Sequence, residues 1–369
     1  MSEKRRDSRS PYMEWAKLSS AAKFNLATSG MSNLPLSALP VTLDDLEITG
    51  TDPYGFAELK ERLAAKAGVE SENIVTAAGT SMANHLALAA LIEPGHEVLI
   101  EQPAYDPLLS TAEFLGARIR RFPRRFEEGW EIDLERLAAA MSDETRLVVV
   151  TNYHNPTGVR TSDQVLAEIA RLAARRGAWL LVDEVYLEAC FDPDAISAFH
   201  LGSNVVATGS LTKAYGLSGL RCGWIIAPAE EARRMWRIND LYGATPVHLG
   251  ERASAVALDH MDTLAAAAEE RLERNRELLA RFLDARNDLE AVRPQAGTIV
   301  FPRLAGRDEG DTERFLTLLR ERYETSVVPG RFFAEPRHFR LGVGGETVMV
   351  EEGLARLAHA LDEFMDASG

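Results

Sequence analysis

Seven short apolar runs, separated by stretches of helical character, constrain this 369-residue chain more than any other feature. They fall at 74–76, 97–101, 117–122, 147–152, 179–182, 205–208 and 223–227. Between many of them apolar residues recur at helical spacing, as at 81–91 and 161–176. Just upstream, Phe56, Leu59, Leu63 and Ala64 mark the apolar face of another helix. Neighbouring parallel strands need a crossover, usually a helix, so this alternation predicts an α/β domain with a mainly parallel sheet.

From about Gly250 the texture changes. Residues 250–287 are rich in Ala, Leu, Glu and Arg at helical spacing and predict one or two long helices. A strand at 298–301, a helix at 312–323, short strands at 326–328 and 338–343 and a final helix at 348–365 complete a smaller α/β domain. The charged stretch 269–276 reads as a solvated helix face. Ahead of the sheet, residues 11–44 carry Tyr12, Trp15, Phe24 and Leu26 among polar residues, with Pro35 and Pro40 breaking any long helix. That suits an arm packed on another surface. The expected division is an arm over 1–44 that joins the small domain, a large domain over 45–250 and a small domain over 251–369.

Composition excludes several classes of function. The net charge of −15 leaves no basic surplus for nucleic acid or an anionic membrane, so any phosphate must be held by a few local groups. Cys190 and Cys222 make no disulfide framework and fit a reducing cytoplasm. No apolar run reaches the ~20 residues that span a bilayer. The charged first ten residues lack a following apolar segment, so they predict a disordered start rather than a signal peptide.

Ligands of open α/β sheets bind beyond the carboxyl ends of the strands. After 74–76 come Gly79, Thr80 and Ser81, opening a helix whose free N–H groups suit an anion, although a simple helix cap reads the same way. After 97–101 comes Tyr105, placed to stack on a flat ring or to pack in the core. After 147–151 comes Asn155, held extended by the following proline or part of an ordinary turn. After 179–182 come Asp183 and Tyr186. A carboxylate that follows four apolar residues is buried and needs a cationic partner, for which a protonated ring nitrogen serves. After 205–208 come Ser210, Lys213 and Arg221 among Gly216, Gly219 and Gly223. An amine beside an anion site is what holds an aldehyde-bearing phosphate as a Schiff base, whereas S-x-x-K alone reads as a solvated loop lysine.

In this order the pieces resemble the fold-type-I pyridoxal-phosphate enzymes, specifically the class I/II aminotransferase superfamily. The resemblance covers roughly residues 25–365. Its most specific parts are His154-Asn-Pro-Thr-Gly158, Asp183-Glu-Val-Tyr186, and Ser210-x-x-Lys213 with Arg221. It implies a large domain with a mainly parallel seven-stranded sheet between helices and a smaller α/β domain. It also implies pyridoxal 5'-phosphate as cofactor, an amino acid and a 2-oxo acid as substrates, and a homodimer with sites at the interface.

By the same resemblance Lys213 carries the cofactor and shuttles protons, and Asp183 pairs with the pyridine nitrogen. Asn155 and Tyr186 hydrogen-bond the phenolic oxygen, and Tyr105 stacks on the ring. Thr80, Ser81, Ser210 and Arg221 hold the phosphate, with Gly79 giving close backbone approach. Arg340, in Phe339-Arg-Leu-Gly-Val343, clamps the substrate carboxylate in competition with Arg331 and Arg337, and Gly30 approaches the same carboxylate. One departure is that relatives carry a tyrosine five residues before a glycine, reaching the partner's phosphate. Here Gly50 stands five before Gly55, and Tyr54 is out of register. No distal arginine is aimed at a side-chain carboxylate. Tyr12, Trp15, Tyr153 and Phe333 line an apolar pocket or simply pack. The rival readings are a C–S lyase, a decarboxylase or an oxidase on the same scaffold, and a cofactor-binding sensor, for which the acidic chain has no DNA-binding domain.

Overall fold

The computed structural model describes residues 9–192 and 195–367; of the start expected to be disordered, residues 1–8 lie outside them. The chain begins with α1 (Pro11–Leu18), β1 (Phe24–Asn25) and, after a loop, α2 (Ala57–Ala67). Next come β2 (Ile74–Ala78), α3 (Thr80–Leu91), β3 (Glu97–Gln102), α4 (Asp106–Phe114), β4 (Arg118–Pro123) and α5 (Leu134–Ala140). They are followed by β5 (Thr145–Thr151), α6 (Asp163–Ala174), β6 (Trp179–Asp183), β7 (Val205–Ser210) and β8 (Cys222–Ile226).

These strands form one seven-stranded sheet in the order β2-β8-β7-β6-β5-β3-β4. Pairing is parallel except at β8, which runs antiparallel to β2 and β7. The central strands are buried along nearly their whole length, so they read as continuous apolar runs. Edge strand β4 instead exposes Arg118 and Arg120, charges that discourage further pairing. The reversal of β8 has a consequence for chemistry. It brings Arg221, which precedes β8, to the same sheet edge as Gly79, Asp183 and Ser210, which end or follow parallel strands.

The rest comprises α7 (Ala229–Tyr242), α8 (His248–Asp259), α9 (Met261–Asp284), β9 (Leu289–Glu290), β10 (Ile299–Val300) and β11 (Arg303–Leu304). After these come α10 (Glu309–Glu321), β12 (Thr325–Ser326), β13 (Val328–Pro329), β14 (Phe339–Gly342) and α11 (Thr347–Asp366). Ala255 and Ala257 of α8 pack with Leu59, Leu63 and Trp224 of the sheet layer. The boundary expected at 250 therefore falls inside α8, because the Ala-rich texture begins on a helix that still covers the sheet. Helices α9, α10 and α11 enclose a second core around Leu279, Phe315, Leu319 and Leu357, which Leu26 of the arm joins. β1 pairs in parallel with β12, so the arm supplies that layer with a strand. The small sheet β10-β14-β13 holds Arg340 on its middle strand.

Candidate active site

A cavity of about 200 Å³ opens at this edge, lined from several elements by Tyr12, Ser29, Thr80, Asp183, Lys213 and Arg221 among others. At one end lies the start of α3. Gly79 has φ +79°, and a Cβ there would come within 2.4 Å of the Arg221 guanidinium. Arg221 donates to the Ala78 and Ser218 carbonyls, and among the described residues no carboxylate pairs with it. Thr80 Oγ1 is buried without a hydrogen-bond partner. Ser210 is buried at the end of β7 and accepts from Thr212 N at 3.3 Å. Unpaired helix N–H groups, hydroxyls and one guanidinium form a cradle suited to a phosphate.

In the middle stand Asp183 and Lys213. Burial pushes the Asp183 carboxyl up to about 6, against hydrogen bonds from Asn84 Nδ2 (2.8 Å) and Val185 N (3.0 Å) and the nearby charge of Lys213. Lys213 Nζ donates to Ser29 Oγ at 3.0 Å. Burial, then the charges of Arg340 and Arg221, lower this amine to about 8, while Asp183 opposes them. Lys213 is thus within reach of its neutral, nucleophilic form near neutrality. The Tyr186 hydroxyl is buried and unpartnered; Ser29 lies near enough to affect its ionisation without completing a hydrogen bond. Burial pushes that phenol up to about 12, so it stays protonated.

Behind Asn155 and Tyr12, which line the far end, Arg340 is 1% exposed. It donates to Asn155 Oδ1 (2.9 Å), Tyr12 Oη (3.1 Å) and the Ala27 carbonyl (3.0 Å), and its Nε has no partner. No carboxylate among the described residues lies within ion-pair distance of it. A buried guanidinium held only by neutral groups is set to receive an anion. Its competitors are engaged elsewhere: Arg331 with Glu313, and exposed Arg337 with the Arg307 carbonyl. Asn155, its carbonyl taken by Arg340, keeps its NH₂ for a ligand. Tyr105 packs edge-on to Tyr12 at 5.5 Å and donates to Met13 Sδ. Gly30 lies against Lys213, where a Cβ would meet the lysine backbone at 3.2 Å. Tyr54 is bound to Arg237 and faces Trp236, within its own chain.

Three neighbours escaped the sequence reading. Ser29, Asn84 and Thr208 look like ordinary arm, helix and strand residues until folding brings them to Lys213 and Asp183. His154, part of the most specific motif, has a supporting position. Its ring bonds Thr157 Oγ1 (2.7 Å) and the Pro103 carbonyl (3.0 Å), and burial with Arg124 nearby holds it neutral. It ties the Asn155 loop to the segment carrying Tyr105.

The site fits pyridoxal phosphate on its own observations: an anion cradle at one end, an amine, a buried carboxylate, and orphaned Thr80 and Tyr186 hydroxyls. Residues 43–357 match the family described as aminotransferase class I and II. Capreomycidine synthase of Streptomyces vinaceus is 32% identical over 352 residues, covering 92% of this chain and 90% of that protein. A pyridoxal-phosphate-dependent aminotransferase of Streptococcus suis superposes with a TM-score of 0.89 at 26% identity, over 96% of this chain and 98% of the other. A pyridoxal-phosphate-dependent cyclase, OrfR, gives 0.86 at 28% identity, over 97% and 98%.

Proposed function

Because the chain belongs to the class I and II aminotransferases, we propose that it moves an amino group from an L-amino acid to a 2-oxo acid, with pyridoxal phosphate held at Lys213. When bound, the cofactor supplies an aldehyde that condenses with amines and a ring that draws electrons from the substrate Cα. Lys213 would hold the aldehyde and, once released, is the amine placed to move a proton from the substrate Cα. Asp183 keeps the ring nitrogen protonated through a buried ion pair. Asn155 and Tyr186 donate to the phenolic oxygen. Thr80, Ser81, Ser210, Arg221 and the backbone at Gly79 bind the phosphate. Tyr105, in the cavity lining, would pack against the ring. Arg340 orients the substrate through its carboxylate, with Gly30 leaving room beside it.

The observation that carries this reading is one cavity that Lys213, Asp183 and the anion cradle at Arg221 line together, with a carboxylate-free Arg340 bonded to two of its lining residues, Asn155 and Tyr12. Borohydride reduction of the yellow enzyme tests it. The fixed cofactor should lie on the peptide containing Lys213, the only lysine after Lys66. A label on another lysine would overturn the reading.

We further infer a homodimer with sites at the interface. Leu43, Leu241 and Val247 are 87%, 81% and 67% exposed, apolar groups that a partner would cover. Val247 shares a cleft with Arg221, which supports an interface beside the phosphate cradle. A reducing cytoplasm fits Cys190 and Cys222, both free thiols. Among the described residues no helix is long and apolar enough to cross a membrane. The arm over 1–44, the large domain over 45–250 and the small domain over 251–369 belong to the same reading, with residue 250 lying inside α8.

A second reading, a synthase or cyclase reaction on this scaffold, is favoured by the likeness to capreomycidine synthase and OrfR. It predicts turnover of a suitable amino acid without any oxo acid acceptor. No observation favours the lyase, decarboxylase or oxidase alternatives.

A further inference from the structure

Asn84 is an unexpected residue where it stands. It lies in α3 among Ala83, Leu86 and Ala87, all 0% exposed, and is itself buried. Asparagine is a poor residue for a helix interior, and a buried amide is costly unless its polar atoms are paired. Both ends of this amide are paired. Nδ2 donates to Asp183 Oδ2 at 2.8 Å, and Oδ1 accepts from Thr208 Oγ1 at 2.6 Å. Thr208 sits on β7 directly beside Asp183 of β6 in the parallel register. The Thr208 hydroxyl has a single proton and gives it to Oδ1. This holds the NH₂ toward Asp183; a flipped amide would set its oxygen against the carboxylate.

We propose that Asn84, itself fixed by Thr208, is a positioning residue that aims the Asp183 carboxylate at the cofactor's ring nitrogen and keeps it a pure acceptor. The inference rests on the role assigned to Asp183 above. Each Asp183 oxygen receives one neutral donor, Asn84 Nδ2 on Oδ2 and Val185 N on Oδ1. Among the described residues no arginine or lysine pairs with it at ion-pair distance. Neutral donors favour the ionised carboxylate while leaving its ion pair to a bound cation; an arginine in the place of Asn84 would consume that charge.

The surroundings of Asp183 support this. Burial is the main force acting against its charge, and the Asn84 hydrogen bond is the largest opposing one. Lys213, after β7, assists, and Tyr105, Tyr186 and Glu184 are also within electrostatic reach. β5 places only Thr151 and the Asn152 backbone beside it. The one other titrating group on this turn of α3, His85, faces Tyr242 at 4.9 Å and is kept neutral by burial. Without Asn84 the largest force opposing burial is lost, so the Asp183 carboxyl moves further up.

The test compares the affinity of the apoenzyme for pyridoxal phosphate with that for an analogue carrying CH in place of the ring nitrogen. Wild type should prefer pyridoxal phosphate. In Asn84→Leu and Thr208→Val the preference should fall at least about tenfold at pH 7, the effect of one unit of pKa, and recover as pH rises. Thr208→Ser, which keeps the hydroxyl, should retain it. A merely structural role weakens both ligands alike, and an unchanged ratio in Asn84→Leu would overturn the inference while leaving the role of Asp183 intact. If Asn84→Leu does not fold, the Thr208→Val and Thr208→Ser pair decides by the same ratio. If wild type binds both ligands equally, the role of Asp183 fails and this inference with it.

Discussion

Burial brings two groups of opposite sign toward neutrality in one cavity: Lys213 falls to about 8 and Asp183 rises to about 6. The lysine has the clearer consequence. Its folded pKa lies below the unfolded value, so between these two values the unfolded chain binds more protons. The contribution of Lys213 to apoenzyme stability is therefore present above about 10.4 and lost as pH falls through about 8. Condensation of the apoenzyme amine with an aldehyde should accordingly titrate with a midpoint near 8, and a midpoint near 10 would contradict the burial argument. Asp183→Asn should still bind the phosphate, because Thr80, Ser210 and Arg221 remain, yet lose most activity; turnover near the wild-type rate would remove Asp183 from the mechanism. Arg340→Met should lower kcat/KM for the amino acid by at least about 100-fold, since it deletes a charged bidentate contact worth roughly 1.5–3 kcal/mol per hydrogen bond. An equal loss for a substrate lacking the carboxylate would argue against the clamp. That Lys213, Asp183 and Asn155 lie beyond strand ends was legible because each follows an apolar strand closely, whereas the roles expected of them came from the resemblance of the motifs around them. Asn84 and Thr208 were not, because their partners lie 99 and 124 residues away along the chain.

At the scale of elements, the seven strands were readable because the central ones are buried on both faces and thus stay apolar without interruption. The direction of β8 was not readable. A five-residue apolar run carries no sign of whether it pairs parallel or antiparallel, and only the pairing of Ser210 with Gly223 and Ala78 with Cys222 settles it. That reversal makes the β2–α3 turn crowded. Gly79 combines φ +79° with ψ 172°, a region essentially reserved for glycine, and Arg221 occupies the space a side chain would need. Gly79→Ala should therefore cost about 1–3 kcal/mol in backbone strain and displace Arg221. Calorimetry should find a lowered Tm, and titration with pyridoxal phosphate an affinity reduced by more than tenfold. Unaltered affinity would mean that the cradle does not depend on this close approach.

For the whole molecule, the arm connects the two layers. β1 pairs with β12, Ser29 meets Lys213, and Tyr12 meets both Arg340 and Tyr105. Its aromatic residues were visible in the sequence, but their target was not, because an arm without its own core gives no local sign of what it covers. The exposed apolar residues Leu43, Leu241 and Val247 lead to the expectation of twice the 40.6 kDa chain mass by light scattering, with full activity confined to that species. Active monomer would refute the dimer. Transamination depends on the substrate's amino group staying with the enzyme until an oxo acid takes it up. A donor found by screening the twenty amino acids, given to the holoenzyme without any oxo acid, tests that dependence directly. One equivalent of oxo acid per Lys213 is expected, then arrest, with turnover restored by pyruvate or 2-oxoglutarate. Continuous product formation without an acceptor would contradict it.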